Sequence, residues 1–159
     1  MPFIGIIAEE RKSNIIKKQI VEQLKIDENL IILIKEKNIE NIKNIKFDTI
    51  ILDRKFNNEK NLKMVLENVK YLIINCDVVK SFNVLNDIEI NVITYGFNSK
   101  ATITASSVGE EEILVCLQRN IINAKKQKVE PQEVKIEIQN DSMCTMAITA
   151  ILLIYGKII

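Results

Sequence analysis

The chain has no histidine and no tryptophan, and only four glycines, two prolines and three cysteines in 159 residues. Each scarcity excludes something. Without histidine there is no Ser-His-Asp or Cys-His nucleophile activation, no imidazole metal ligand and no imidazole pH switch. Cys76, Cys116 and Cys144 are odd in number and scattered among apolar neighbours, which fits reduced, buried thiols rather than a disulfide frame or a metal cluster. A surplus of charge is missing too. With 22 basic and 21 acidic residues the formal net charge is +1, so neither nucleic acid nor a membrane surface is an expected partner. The longest apolar run, Met146 to Tyr155, is too short to cross about 30 Å of hydrocarbon. The N-terminus shows no basic segment leading into an apolar signal core, and the expected location is cytoplasmic.

What is present is a hydrophobic share of 47%, at a length that buries roughly two thirds of the unfolded surface in a single domain. The first part alternates short apolar runs with helical patterns. Phe3 to Ala8, Leu30 to Ile34, Thr49 to Leu52, Tyr71 to Asn75 and Asn91 to Tyr95 are brief and rich in Ile and Val, as buried parallel strands are. Ile15, Ile16, Ile20, Val21 and Leu24 recur at helical spacing, and helices are also expected at Glu59 to Val69, Glu36 to Ile42 and Val78 to Leu85. This βα alternation predicts a three-layer α/β fold, with a mainly parallel sheet carrying helices on both faces.

After Gly96 the pattern changes. Ala101 to Ser106 and Glu133 to Ile138 alternate with a period of two, and Glu112 to Ile122 reads as a further strand, with turns at Ser106 to Gly109 and Asn123 to Pro131. Asp141 to Tyr155 is apolar almost all round. It reads as a helix capped by Asp141 or Asn140 and stopped by Gly156, buried either under the antiparallel strands or against a second copy of the chain. One domain is therefore expected over 1–159, with a parallel βα core at 1–98 and antiparallel strands plus a closing helix at 99–159. No internal repeat or linker interrupts it.

The candidate site residues lie at predicted carboxyl strand ends, where open α/β sheets bind ligands. After the first strand come Glu9, Glu10, Arg11, Lys12 and Ser13. A phosphate loop would keep that Lys and Ser but needs glycines before them, so that consecutive amides can turn toward one anion. Glu9 and Glu10 instead bring two carboxylates to the place where phosphates would sit. Asp53 follows the third strand, Asn75 and Asp77 the fourth, and Thr94 lies in the fifth. Two readings stay open beside plain turn and cap chemistry. In one, Lys12 contacts a phosphate and Asp53 or Asp77 holds magnesium, with ATP and Mg²⁺ as cofactors. In the other, Glu9, Glu10 and Asp53 resemble the acidic site of a receiver domain with Asp53 as phosphoacceptor, although no Lys-Pro follows the last parallel strand.

Taken together, "IGIIAEERKSNI", "YLIINCD", "INVITYGFNSKATITA" and "QNDSMCTMAITAILLIYG" resemble, in order, segments of the central domain of the Mur ligase family, which forms amide bonds at the expense of ATP. They match its strand entering the ATP loop, its strand ending Asn-x-Asp, its strand ending Thr-Tyr-Gly before a small antiparallel sheet, and its closing helix. The resemblance implies that Lys12 and Ser13 stand at the ATP-loop Lys and Ser/Thr, and Asp53 nearest the magnesium position. The chain departs from the family where the chemistry lies. The loop glycines are replaced, the His-Asn-x-x-Asn positions read Asn140, Asp141 and Cys144, and no histidine is available. The family's flanking domains have no counterpart in these residues. The expectation is a non-catalytic relative without a required cofactor, serving as an interaction or regulatory module with a protein partner or a second copy of itself.

Overall fold

A computed structural model describes residues 3–80 and 83–158. Five strands, β1 (Phe3–Ile7), β2 (Ile31–Leu33), β3 (Phe47–Leu52), β4 (Tyr71–Asn75) and β5 (Asn91–Tyr95), pair in parallel in the order 2-1-3-4-5. β6 (Ile103–Val108) joins β5 in parallel, and β7 (Glu112–Leu117) and β10 (Gln132–Glu137) follow antiparallel, completing one eight-stranded sheet. β8 (Ile121–Ile122) and β9 (Lys128–Val129) form a separate small hairpin. The α/β class, the parallel core, the antiparallel extension and the buried closing helix are as the residue patterns predict.

The step from β5 to β6 shows how a short loop can join parallel neighbours, which ordinarily need a crossover of a dozen residues or more. Their register has a single pair, Tyr95 with Ile103, so β6 starts level with the last residue of β5 and runs on past it. The antiparallel strands thereby extend the sheet beyond the carboxyl ends of the parallel ones.

The central strands β1, β3 and β4 are buried on both faces, with successive residues pointing to opposite sides. Ile4, Ile6, Ile51, Ile73 and Ile93 meet α1 (Glu10–Leu24) through Ile16 and Ile20, and α4 (Ser142–Ile154) through Ala147, Ala150 and Ile151. On the other face Ile7, Ile50, Leu52, Leu72 and Ile74 pack with Leu62, Val65 and Leu66 of α3 (Glu59–Leu66) and with Ile39 and Ile42 of the single turn α2 (Ile39–Ile42). Each fully buried aliphatic side chain is worth about 1.5–3 kcal/mol of transfer free energy.

α4 takes the first of its two expected positions. Its apolar surface is covered within the chain by α1 and by the sheet from β4 to β7. Asp141 accepts a bond from the Cys144 N–H at 2.8 Å, fixing the first turn. At the other end Gly156, with φ of 72°, lets the Lys157 N–H turn back to the Leu152 carbonyl at 2.8 Å.

Some expected boundaries move. The helix foreseen at Glu36 to Ile42 shrinks to α2, because Asn38 uses both ends of its amide on the preceding loop, accepting from Lys35 N at 2.9 Å and donating to the Leu33 carbonyl at 3.0 Å. The helix foreseen at Val78 to Leu85 is not formed: Cys76 to Val78 make a turn that Asn75 closes, and Asn83–Leu85 form one 3-10 turn, with 81 and 82 lying outside the described residues. α3 ends at Leu66, short of Val69, and the strand foreseen over Glu112 to Ile122 breaks into β7 and β8. Among the described residues no helix is long and apolar enough to cross a membrane.

Candidate functional site

Strand order reverses at β1, which has β2 on one side and β3 on the other, so the crevice outside the carboxyl ends of β1 and β3 is the topological switch point of the sheet. Lys12 follows β1 there and Asp53 follows β3. The Asp53 N–H donates to the Ile7 carbonyl at 2.8 Å, which carries the β1–β3 ladder one residue further and fixes its side chain at the sheet edge.

Lys12 Nζ lies 2.8 Å from Asp53 Oδ1. The other oxygen, Oδ2, accepts from the Tyr95 hydroxyl and from Asn75 Nδ2 at 3.2 Å. Tyr95, Asn75 and Asp53 are 0%, 1% and 6% exposed, so α1, β3, β4 and β5 converge on one buried carboxylate. Burial pulls the Lys12 ammonium toward its neutral form, but the hydrogen bond and charge of Asp53 outweigh that and hold its pKa above the ordinary lysine value. Burial, then Asp53, pushes the Tyr95 hydroxyl well above the usual phenol range. Cys144, at the start of α4, belongs to the same neighbourhood. Burial and the Asp141 carboxylate raise its thiol to about 12, opposed by the charge of Lys12.

Asn75 passes the network on, its Oδ1 accepting from Asp77 N at 3.0 Å. Asp77 in turn accepts from the N–H groups of Phe97 and Asn98 at 2.7 and 3.2 Å, clamping the β5–β6 connection. Gly96 is required beneath that clamp. Its φ is 151°, and a Cβ there would stand 2.7 Å from the Asp77 carboxyl carbon. Thr94 accepts from Thr102 N at 2.8 Å and so pins the start of β6.

The connection between β1 and α1 is only Ala8 and Glu9. The Ser13 N–H already donates to the Glu9 carbonyl at 2.8 Å as part of the helix, and the buried Ser13 hydroxyl donates to the Ala8 carbonyl at 3.1 Å. Glu9 is exposed and makes no capping bond, while Glu10 turns aside to Lys35 at 3.4 Å.

Of the residues singled out in the sequence, Lys12, Asp53 and Asn75 meet directly and Asp77 joins them through Asn75. Glu9, Ser13 and Thr94 stand apart from the cluster. Tyr95 and Thr102 escape sequence reasoning, and Arg119 reads there only as an isolated charge with no identifiable partner. Tyr95 carries a signal in retrospect, a phenol closing an apolar strand, since a buried hydroxyl needs an acceptor. Arg119 carries none: it sits in a loop and reaches Thr102 Oγ1 at 3.4 Å and the Lys100 carbonyl. Among the described residues no group of three or more acidic or cysteine side chains is arranged to hold a metal ion.

Neither the models of known protein families nor the curated proteins include a match to this chain.

Proposed function

We propose that the chain is a non-catalytic, Mur-ligase-like central domain that acts by binding, as an interaction or regulatory module. The observation that carries this reading is the mutual engagement of Lys12 and Asp53. The lysine that would contact a nucleotide phosphate and the acid that would hold magnesium are bonded to each other at 2.8 Å, and the acid is further held by Tyr95 and Asn75. Admitting Mg-ATP would first require breaking the Lys12–Asp53 bond and disturbing a carboxylate that Tyr95 and Asn75 already anchor. Ser13, the other member of the loop motif, is turned inward on the Ala8 carbonyl. No stretch of amides between β1 and α1 is long enough to wrap a triphosphate, and α1 begins after two residues. Placement at the carboxyl edge and the element order favour descent from a nucleotide-using scaffold; the internal bonding favours its use as a framework. Because α4 is covered within the chain, a protein partner would use other surfaces.

Thermal unfolding with and without Mg-ATP tests this. The expected result is no magnesium-dependent stabilisation and no ATP turnover, whereas a ligand at a hundred times its dissociation constant would add about 2.7 kcal/mol. A clear upward shift that requires Mg²⁺ and disappears in Lys12→Gln would establish the competing reading, a small nucleotide-binding enzyme.

A further inference from the structure

On the α2/α3 side of the same strand ends lies an open cleft of about 340 Å³, distinct from the Lys12–Asp53 network. Its apolar base is made by buried Ile7, Ile34 and Phe56. Its rim carries Lys35, Lys37, Arg54 and Lys55 against Glu10 and Glu36, a surplus of two positive charges in a chain that is otherwise close to balance.

Both carboxylates are already engaged. Glu10 pairs with Lys35 at 3.4 Å, and Glu36 accepts from Asn57 Nδ2 at 3.1 Å and Asn58 N at 2.9 Å. Lys37, Arg54 and Lys55 make no ion pair among the described residues. The walls are fixed before any ligand arrives. The β2–α2 loop is tied by the two Asn38 bonds, and its Glu36 joins it to Asn57 and Asn58 at the end of the loop after β3. The position is the switch point of the sheet, beside the first turn of α1, whose N–H groups have no acceptor within the helix.

We propose that this cleft binds a small molecule bearing a phosphate monoester, with Lys37 and Arg54 as its principal contacts and Lys55 beside them. A phosphate monoester near neutral pH carries between one and two negative charges, which matches the surplus on the rim. The bidentate fork of Arg54 suits its oxygens. The volume of the open cleft suits a small ligand, and the balanced charge elsewhere on the chain offers no track for a polynucleotide. The proposal does not rest on the reading above, since none of these side chains belongs to the Lys12–Asp53 network.

The test is a titration of the uniformly ¹⁵N-labelled full chain with inorganic phosphate at constant ionic strength, followed by amide chemical shifts. The expected result is a saturable response confined to Glu10, 34–37 and 54–57, with the dissociation constant raised at least about tenfold in Lys37→Gln/Arg54→Gln and unchanged in the charge-matched control Lys18→Gln/Lys128→Gln. Shifts that fail to saturate, that spread over lysines around the surface, or that persist in Lys37→Gln/Arg54→Gln would overturn the proposal. A magnesium-dependent ATP response that depends on Lys12 would instead strike the reading of function, so the two failures are distinguishable.

Discussion

Strand β3 has an aspartate at each end, and each meets a tyrosine and a lysine. At the carboxyl end Asp53 takes Tyr95, Asn75 and Lys12, with the lysine at 2.8 Å and side-chain exposures of 6% for the acid and 20% for the base. At the amino end Asp48 takes the Tyr155 hydroxyl at 2.6 Å and the Thr49 hydroxyl at 3.3 Å, while Lys70 stands 3.7 Å away and is 74% exposed. Both clusters share an aspartate, a tyrosine and a lysine, and they differ most in the distance and the exposure of that lysine. A charge pair held away from water interacts more strongly and also suffers more when one member is removed, whereas an exposed pair is screened and mobile. The amino-end cluster fastens Tyr155, the residue that follows α4, to the sheet, and the carboxyl-end cluster holds α1, β3, β4 and β5 around one carboxylate.

The largest expected effect tests that contrast directly. Asp53→Ala removes the acceptor of three donors in one step, leaving the Lys12 ammonium, the Tyr95 hydroxyl and the Asn75 amide without their partner, and is expected to cost about 3–5 kcal/mol. Asp48→Ala removes less, since Tyr155 keeps Thr49 at 2.7 Å and Lys70 returns to water; about 1–2 kcal/mol is expected. Urea unfolding of the two variants measures both. Equal losses would mean that burial does not distinguish the two ends.

Alkali should weaken both ends, and the sign follows from the groups themselves. Tyr95 and Tyr155 are pushed above the phenol value and Cys144 to about 12, in each case first by burial. The folded chain therefore keeps protons that the unfolded chain releases, and stability falls as pH rises from about 9, the ordinary value of a thiol, through the phenol range. Lys12 adds to the loss only above the ordinary lysine value, because its raised pKa means that its contribution is complete below that value. The expected outcome is a lower urea midpoint at about pH 10.5 than at about pH 8, with the difference reduced in Tyr155→Phe. A midpoint that does not fall between those pH values would contradict the burial of these three groups.

How far the residues alone disclose this arrangement differs along the chain. The central parallel strands are legible because burial on both faces leaves runs of Ile and Leu, as in Ile50-Ile51-Leu52 and Leu72-Ile73-Ile74. α4 is legible for a similar reason, with Asp141 and Gly156 marking its ends. The segments at Glu36 to Ile42 and Val78 to Leu85 mislead because the Asn38 side chain and the Asn75 carbonyl and side-chain oxygen bond nearby backbone groups, a competition that periodicity does not register. Lys12, Asp53 and Asn75 can be found as strand-end residues, but their mutual bonding cannot, since it depends on β1, β3 and β4 being neighbours. The basic cleft is invisible for the same reason, its cations coming from two loops that only the strand order 2-1-3 brings together.

The smallest effect sharpens the comparison most. Lys70 and Lys12 each approach an aspartate of the same strand, and a list of ion pairs would count them alike. At 3.7 Å and 74% exposure, Lys70 gains little Coulomb energy and must order a long side chain to gain it, so Lys70→Gln should shift unfolding by no more than about 0.5 kcal/mol and by still less in high salt. Lys12→Gln, by contrast, strips a buried carboxylate of its only cation among the described residues and should cost several times as much at either ionic strength. If Lys70→Gln instead cost more than about 1 kcal/mol in urea titrations, Asp48 would be held by charge as firmly as Asp53. The lysine at the carboxyl edge would then have no special place in the fold, and the proposed non-catalytic role would lose the observation that supports it.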